Sequence, residues 1–306
     1  MMKTYEEFAE LIKDKAAQKL GEDYQVDIIK NLKNNSIVET QLSIRKREDS
    51  AAQCIYLKSF YRTYKKDGNL EAVTEEILDH FSTDVICADT IKKLSGGMED
   101  YSKIKDKILF KLVNTAYNQE LLRQIPSIPY LDLSIVFYLY LNADSDGMMS
   151  ALIYNKHLEY WDVTASDLYE AARKNTPHYL PETLMDIGQA INKSASELGQ
   201  EEFQFLSSEI FDTAMYVLSN TRGINGAASI LYPDVLRMCS QKLRGDFLIL
   251  PSSIHETILV PYMEDCDLEF FKEMIQDAND KDVPDADILG DHAYRYDSKE
   301  DKVMAA

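Results

Sequence analysis

The chain has 306 residues, 45% of them hydrophobic and 28% charged, which is enough for one large core or two modest ones and too apolar for a disordered chain. Its formal charge of -19 excludes direct binding of nucleic acid or anionic lipid as the expected role, because both need a cationic surface. The longest apolar runs, such as 135–141, fall far short of a bilayer span, and "MMKTYEEFAELIKDK" lacks the apolar stretch of a signal peptide. A cytoplasmic, non-membrane protein is expected.

Tyr5, Phe8, Ile12, Ala16 and Leu20 recur at helical spacing and predict an N-terminal amphipathic helix. "YQVDIIKNL" and "SIVETQLSI" then flank Lys33-Asn34-Asn35 as a hairpin, with Val38, Thr40, Leu42 and Ile44 alternating. Two short helices follow, one on Leu57, Phe60, Tyr61 and Tyr64, the other on Leu70, Val73, Ile77, Leu78 and Phe81. Gly96-Gly97 in "LSGGMED" is the expected hinge, placing a helix and hairpin sublobe at 1–94.

A main unit is expected at 95–298. "KILFKLVN" and "LDLSIVFYLYLN" read as strands, and "MMSALIY" pairs with the second of them. Thr164 and Asp167 form a capping box ahead of "ASDLYEAARKN". "AMYVLSN" is a strand, and "GAASILYPDVLRMCSQKL" is a helix that Pro233 must kink or restart. "DFLIL" and "TILVP" are strands, "LEFFKEMIQDAN" is a last helix, and 299–306 is expected as a flexible tail. Antiparallel hairpins mixed with helices, without regular βαβ alternation, give an α+β fold.

Two stretches carry candidate chemistry. In "PSSIHETI", Ser252, Ser253, His255 and Glu256 are the side chains of a serine hydrolase, with a serine as nucleophile and His255 as base. In an extended segment Glu256 faces away from His255, so an orienting acid would have to come from elsewhere. The alternative is structural: Ser253-x-x-Glu256 is a capping box at a helical turn between two strands, and this reading is preferred. In "SNTRGINGAAS" the amides at 226–228 open a helix after a strand and could hold an anion. Asn220, Asn225, Gly226 and His255 are therefore the ligand-binding candidates.

No metal and no cofactor is expected. Asn142, Asp144, Asp146 and Gly147 match the front of a calcium loop, but its twelfth position is Ile153 instead of a glutamate. Cys54, Cys87, Cys239 and Cys266 form no CxxC pair and read as reduced thiols, and no histidines have ligand spacing. Asn114, Asn118, Asn175 and Asn220 sit at element ends, where capping is the default. Between Tyr262 and Asp301, fourteen Asp/Glu against four Lys/Arg give a local net of -10. Within it, Asp282, Asp285 and Asp287 are the candidates for docking a basic protein partner, and part of the segment after Asp280 is expected to be mobile, or held by a cation or a basic partner.

Taken together, "KILFKLVNTAYNQELL", "LDLSIVFYLYL", "HLEYWDVTASDLYEAARKNT", "MYVLSNTRGINGAASILYPDVL" and "LILPSSIHETILVP" resemble the bacterial family known as domain of unknown function 5688, found in gut clostridia. The resemblance covers roughly residues 20–298 and implies one cytoplasmic α+β unit, with no activity, cofactor or catalytic residue attached. The expected function is a binding or regulatory module with a protein partner. The alternatives are a serine hydrolase built on "PSSIHE" and an acidic protein that blocks a nucleic-acid-binding partner.

Overall fold

A computed structural model describes residues 2–48, 52–83, 100–143, 148–190 and 215–306, folded as two units, Met1–Glu99 and Asp100–Ala306. The expected hinge at Gly96-Gly97, the calcium-loop residues Asp144, Asp146 and Gly147, and Cys87 lie outside the described residues.

The first unit opens with α1 (Tyr5–Leu20), started by a Thr4/Glu7 capping box: the Glu7 amide donates to Thr4 Oγ1 and the Thr4 amide to Glu7 Oε2. Strands β1 (Tyr24–Leu32), β2 (Val38–Lys46) and β3 (Gln53–Tyr56) form an antiparallel sheet with β2 central. Helices α2 (Lys58–Asp67) and α3 (Leu70–Thr83) complete the unit, with Gly68 left-handed between them. Phe8, Ile12 and Ala16 of α1 meet Leu42 and Ile44 of β2, Phe60 and Tyr64 of α2, and Val73 and Ile77 of α3 in one buried cluster. The 3.6-residue and two-residue periods read from the sequence thus converge on a single core.

In the second unit β6 (Leu133–Ala143) is the centre of a four-stranded antiparallel sheet. β4 (Ile108–Asn114) runs along one side, and β5 (Ser127–Tyr130) and β7 (Met148–Leu152) follow one another along the other. Helix α4 (Asn155–Trp161) is followed by α5 (Ala165–Tyr179), which begins at the predicted Thr164/Asp167 box. α5 is tied to β4 by Thr176 Oγ1, which accepts from the Phe110 amide, and by Asn175, which donates to the Lys105 and Ile108 carbonyls.

A second antiparallel sheet has six strands, β13-β12-β10-β11-β9-β8. These are β8 (Glu182–Asp186), β9 (Tyr216–Asn220), β10 (Phe247–Ser253), β11 (Glu256–Pro261), β12 (Tyr294–Asp297) and β13 (Lys302–Ala305). Residues 247–251 are all buried, as a central strand covered on both faces requires. Leu248 and Leu250 pack with Val260 and with Phe271, Met274 and Ile275 of the last helix, α7 (Leu268–Lys281). On the opposite face of β10 the Phe247 ring lies 4.9 Å from that of Tyr296. The stretch predicted to kink at Pro233 is a 3-10 turn, Gly226–Leu231, and then α6 (Val235–Leu243), restarting after left-handed Asp234.

The carboxyl-terminal residues correct the expectation of a flexible tail. Val303 is buried, and β13 pairs with β12 from Tyr294↔Ala305 to Asp297↔Lys302. No described helix is long and apolar enough to cross a membrane.

Burial separates the cysteines. Cys239 on α6 is fully buried, which pushes its thiol up to about 12, while Cys54 on β3 is exposed. Iodoacetamide at pH 8 followed by peptide mapping is expected to label Cys54 in the folded protein and Cys239 only after denaturation. Equal labelling of the two without denaturant would contradict that burial.

Candidate functional site

The "PSSIHE" stretch is a hairpin turn and not a helical one. Pro251 pairs with Thr257 and Ser253 with Glu256, so Ser252 is an extra residue and Ile254-His255 form a two-residue turn. The bulge also accommodates Pro251, which has no amide to give to the ladder. The capping box is therefore corrected: Ser253 Oγ accepts from the His255 amide at 3.0 Å, two residues on, and Glu256 begins a strand. Glu256 instead accepts from the Ser252 hydroxyl across the bulge, at 3.4 Å.

The turn is held by a second turn. Asn220 ends β9, where its Oδ1 accepts from the Arg222 amide and its Nδ2 donates to the Ile224 carbonyl. That loop delivers Asn225, left-handed at φ 54°, whose amide donates to His255 Nδ1 at 3.1 Å. Gly226 follows, and a Cβ there would stand 2.4 Å from the His255 carbonyl oxygen and 2.2 Å from Ser219 Oγ. The Ser219 hydroxyl already donates to that same carbonyl at 2.7 Å, and the Ala227 amide donates to the Ile254 carbonyl at 3.2 Å. All four ligand-binding candidates, Asn220, Asn225, Gly226 and His255, are thus gathered in one place. The amides of Ala227 and Ala228, read as an anion cradle, are bonded to the carbonyls of Ile254 and Asn225.

The acid that reaches His255 comes from the far end of the chain. Asp287 Oδ1 lies 3.5 Å from His255 Nε2, and the Asp287 carbonyl accepts from the Ile254 amide at 2.7 Å. With Nδ1 accepting an amide proton, a neutral His255 carries its proton on Nε2, facing Asp287. A hydrolase base must turn a nitrogen toward its nucleophile. Here one nitrogen takes a backbone amide and the other faces a carboxylate, while the two serine hydroxyls bond within the hairpin. Charge alone groups Asp287 with Asp282 and Asp285, yet it faces inward, whereas those two are exposed. No local signal links Asp287 to a histidine 32 residues earlier.

Behind the double turn, the Asn225 side chain approaches the buried Tyr138 hydroxyl without closing a hydrogen bond. Burial raises that phenol well above its ordinary range. The other asparagines bond to backbone: Asn114 Nδ2 donates to the Leu289 carbonyl and Asn118 Nδ2 to the Asn114 carbonyl. Among the described residues no group of three or more His, Cys, Asp or Glu side chains is arranged to hold a metal ion.

The acidic end is ordered by specific bonds. Asp246, just before β10, accepts from Arg295 Nη2 at 2.6 Å, from the Ser298 amide at 3.0 Å and from its hydroxyl at 2.7 Å. These bonds hold the Asp246 carboxyl down at about 2, with the Arg295 contact the largest cause. The Arg295 guanidinium also lies 3.9 Å from the Tyr262 ring centroid. The segment after Asp280, expected to be partly mobile or else held by a cation or a basic partner, is tied to its own chain at Asp287, Arg295 and Ser298, as well as through β12 and β13.

No curated protein and no solved structure matches the chain. The model of a family of unknown function, DUF5688, matches residues 5–298, nearly the whole length of both units, and the chain belongs to that family.

Proposed function

We propose that the chain is a binding module that engages a protein partner through the acidic face of residues 262–301. The observation that carries this reading is the local net charge of -10 on a segment tied into the fold, with Asp282 and Asp285 exposed. Two of its four cations are already paired within the segment, Lys272 with Glu269 at 3.0 Å and Lys281 with Asp277 at 2.6 Å. A fixed array of carboxylates attracts a cationic surface and repels an anionic one, giving faster association and partner selection. A basic, nucleic-acid-binding groove on another protein is one surface of this kind.

The engagement of both His255 nitrogens speaks against the hydrolase alternative. A fluorophosphonate probe is expected to leave Ser252 and Ser253 unlabelled by mass spectrometry. Labelling that disappears in His255→Ala would establish the hydrolase instead.

The binding reading is tested by affinity capture from the native host, followed by surface-plasmon kinetics with the captured protein. Asp282→Asn with Asp285→Asn should slow association, and raising salt should weaken the complex steeply, since exposed charges are screened over about 8 Å at physiological ionic strength. Binding indifferent to both treatments would overturn the reading.

A further inference from the structure

Among the described residues of the second unit, the large apolar side chains that remain exposed are mostly scattered, as at Tyr117, Leu131, Tyr160 and Met238. Three others fall within eight residues: Met263 at 59% exposure, Leu268 at 37% and Phe270 at 58%. They occupy the turn closed by the Cys266 amide on the Met263 carbonyl and the first turn of α7, capped by Asp267 on the Phe270 amide. The buried side of α7 is supplied by Phe271, Met274 and Ile275. Leu268, three residues before Phe271 and seven before Ile275, borders one edge of this stripe, while Phe270, four before Met274, borders the other and touches the Phe271 ring edge to face at 5.6 Å. Core formation accounts for Phe271, Met274 and Ile275 but not for the three exposed side chains.

We infer that Met263 and Phe270 anchor a basic amphipathic helix of the partner, an assignment that rests on the acidic face being the partner-binding surface. Charge selects the occupant. Glu264, Asp265, Asp267, Glu269 and Glu273 each lie within three residues of one of these anchors and are exposed, and the one cation in the same stretch, Lys272, is paired with Glu269. An anionic lipid surface is repelled by this rim, and a second copy docking patch to patch would bring five more carboxylates against the first five. A helix with apolar residues at i, i+3, i+4 and i+7, flanked by Lys or Arg, satisfies anchors and rim together. The flexible thioether of Met263 lets the patch accept differing apolar side chains.

The test uses the full chain and fluorescein-labelled peptides of about 18 residues, long enough for several helical turns, read by anisotropy. They are an amphipathic Leu/Lys helix, a scrambled peptide of the same composition, and a Leu/Glu helix. The amphipathic Leu/Lys peptide should bind at least about tenfold more tightly than the scrambled one, a difference expected when central apolar anchors dominate. Phe270→Ser with Met263→Ser should remove that advantage without changing the melting temperature, and Tyr160→Ser, remote in sequence, should leave it intact. Equal affinity of the two cationic peptides, unaffected by the double variant, would overturn the helix assignment while leaving the acidic-face reading standing. Failure of either cationic peptide to bind at low salt would overturn both. Tight binding of the Leu/Glu helix, or a dimer in sedimentation velocity abolished by Phe270→Ser, would also reject the assignment.

Discussion

Gly226→Ala should destabilise the second unit by about 2–4 kcal/mol, the combined cost of overpacking and of a displaced buried hydrogen bond. The new Cβ would stand 2.2 Å from Ser219 Oγ, 2.4 Å from the His255 carbonyl oxygen and 2.9 Å from the Asn220 amide nitrogen. Two of these three are backbone atoms, so the clash cannot be relieved by swinging a side chain away. Something must separate the two turns, and the Ser219 to His255 bond is the first contact to yield. Gly223→Ala is the contrasting case, with open space around its Cβ but a φ of 64°. There only the left-handed backbone is penalised, at about 1–2 kcal/mol. Trp161 is the sole tryptophan and lies on α4 of the second unit, so its fluorescence reports urea unfolding of that unit. If Gly226→Ala cost no more than Gly223→Ala, the two turns would not be in close contact.

The glycine shows where sequence reading succeeds and where it stops. "NGAAS" is legible as a turn opening a helix, because a strand precedes it and small residues follow. That Gly226 is there for close approach instead of conformation depends on a hairpin thirty residues away. The same limit explains the misread capping box: Ser-x-x-Glu has one appearance whether the residues between make a helical turn or a two-residue hairpin. The pairing of Pro251 with Thr257 decides it, and that pairing is a property of the sheet. By contrast, α1, the β1–β2 hairpin and the Thr164/Asp167 cap are legible because each signal is local. β12 escapes the pattern because Tyr294 and Tyr296 supply only two inward positions among charged neighbours, too few for alternation to register.

Charge counting has a similar limit, since it treats Asp287 and Asp282 alike. Only the fold distinguishes a carboxylate turned toward His255 from one left to water. The polar residues of the candidate site are visible in the sequence. Their bonding partners, Asn225 and Asp287, come from segments with no sequence signal connecting them to the hairpin.

Asp246→Asn should cost about 2–3 kcal/mol near neutral pH, since hydrogen bonds to a charged group are each worth more than neutral ones and this carboxylate is only partly open to water. It accepts three bonds that join the start of β10 to the carboxyl-terminal segment, two of them from Ser298 and one from Arg295. The cost should also depend on pH in a defined direction. The ordinary carboxyl value is 3.8 and the folded value is about 2, so folding favours the ionised form. Its contribution is complete well above 3.8, declines as the pH falls through the interval from 3.8 to about 2, and is gone below it. The substituted amide cannot titrate, so the stability difference between the wild type and the variant should be flat from pH 7 to 5 and narrow steadily toward pH 2. Taking the difference removes the other carboxylates, which titrate in both proteins. Urea midpoints from Trp161 fluorescence at successive pH values give the curve directly. A gap that stays constant down to pH 2.5 would show that the Asp246 charge does not hold β12 to β10, leaving Tyr296 against Phe247 as the stronger link between them.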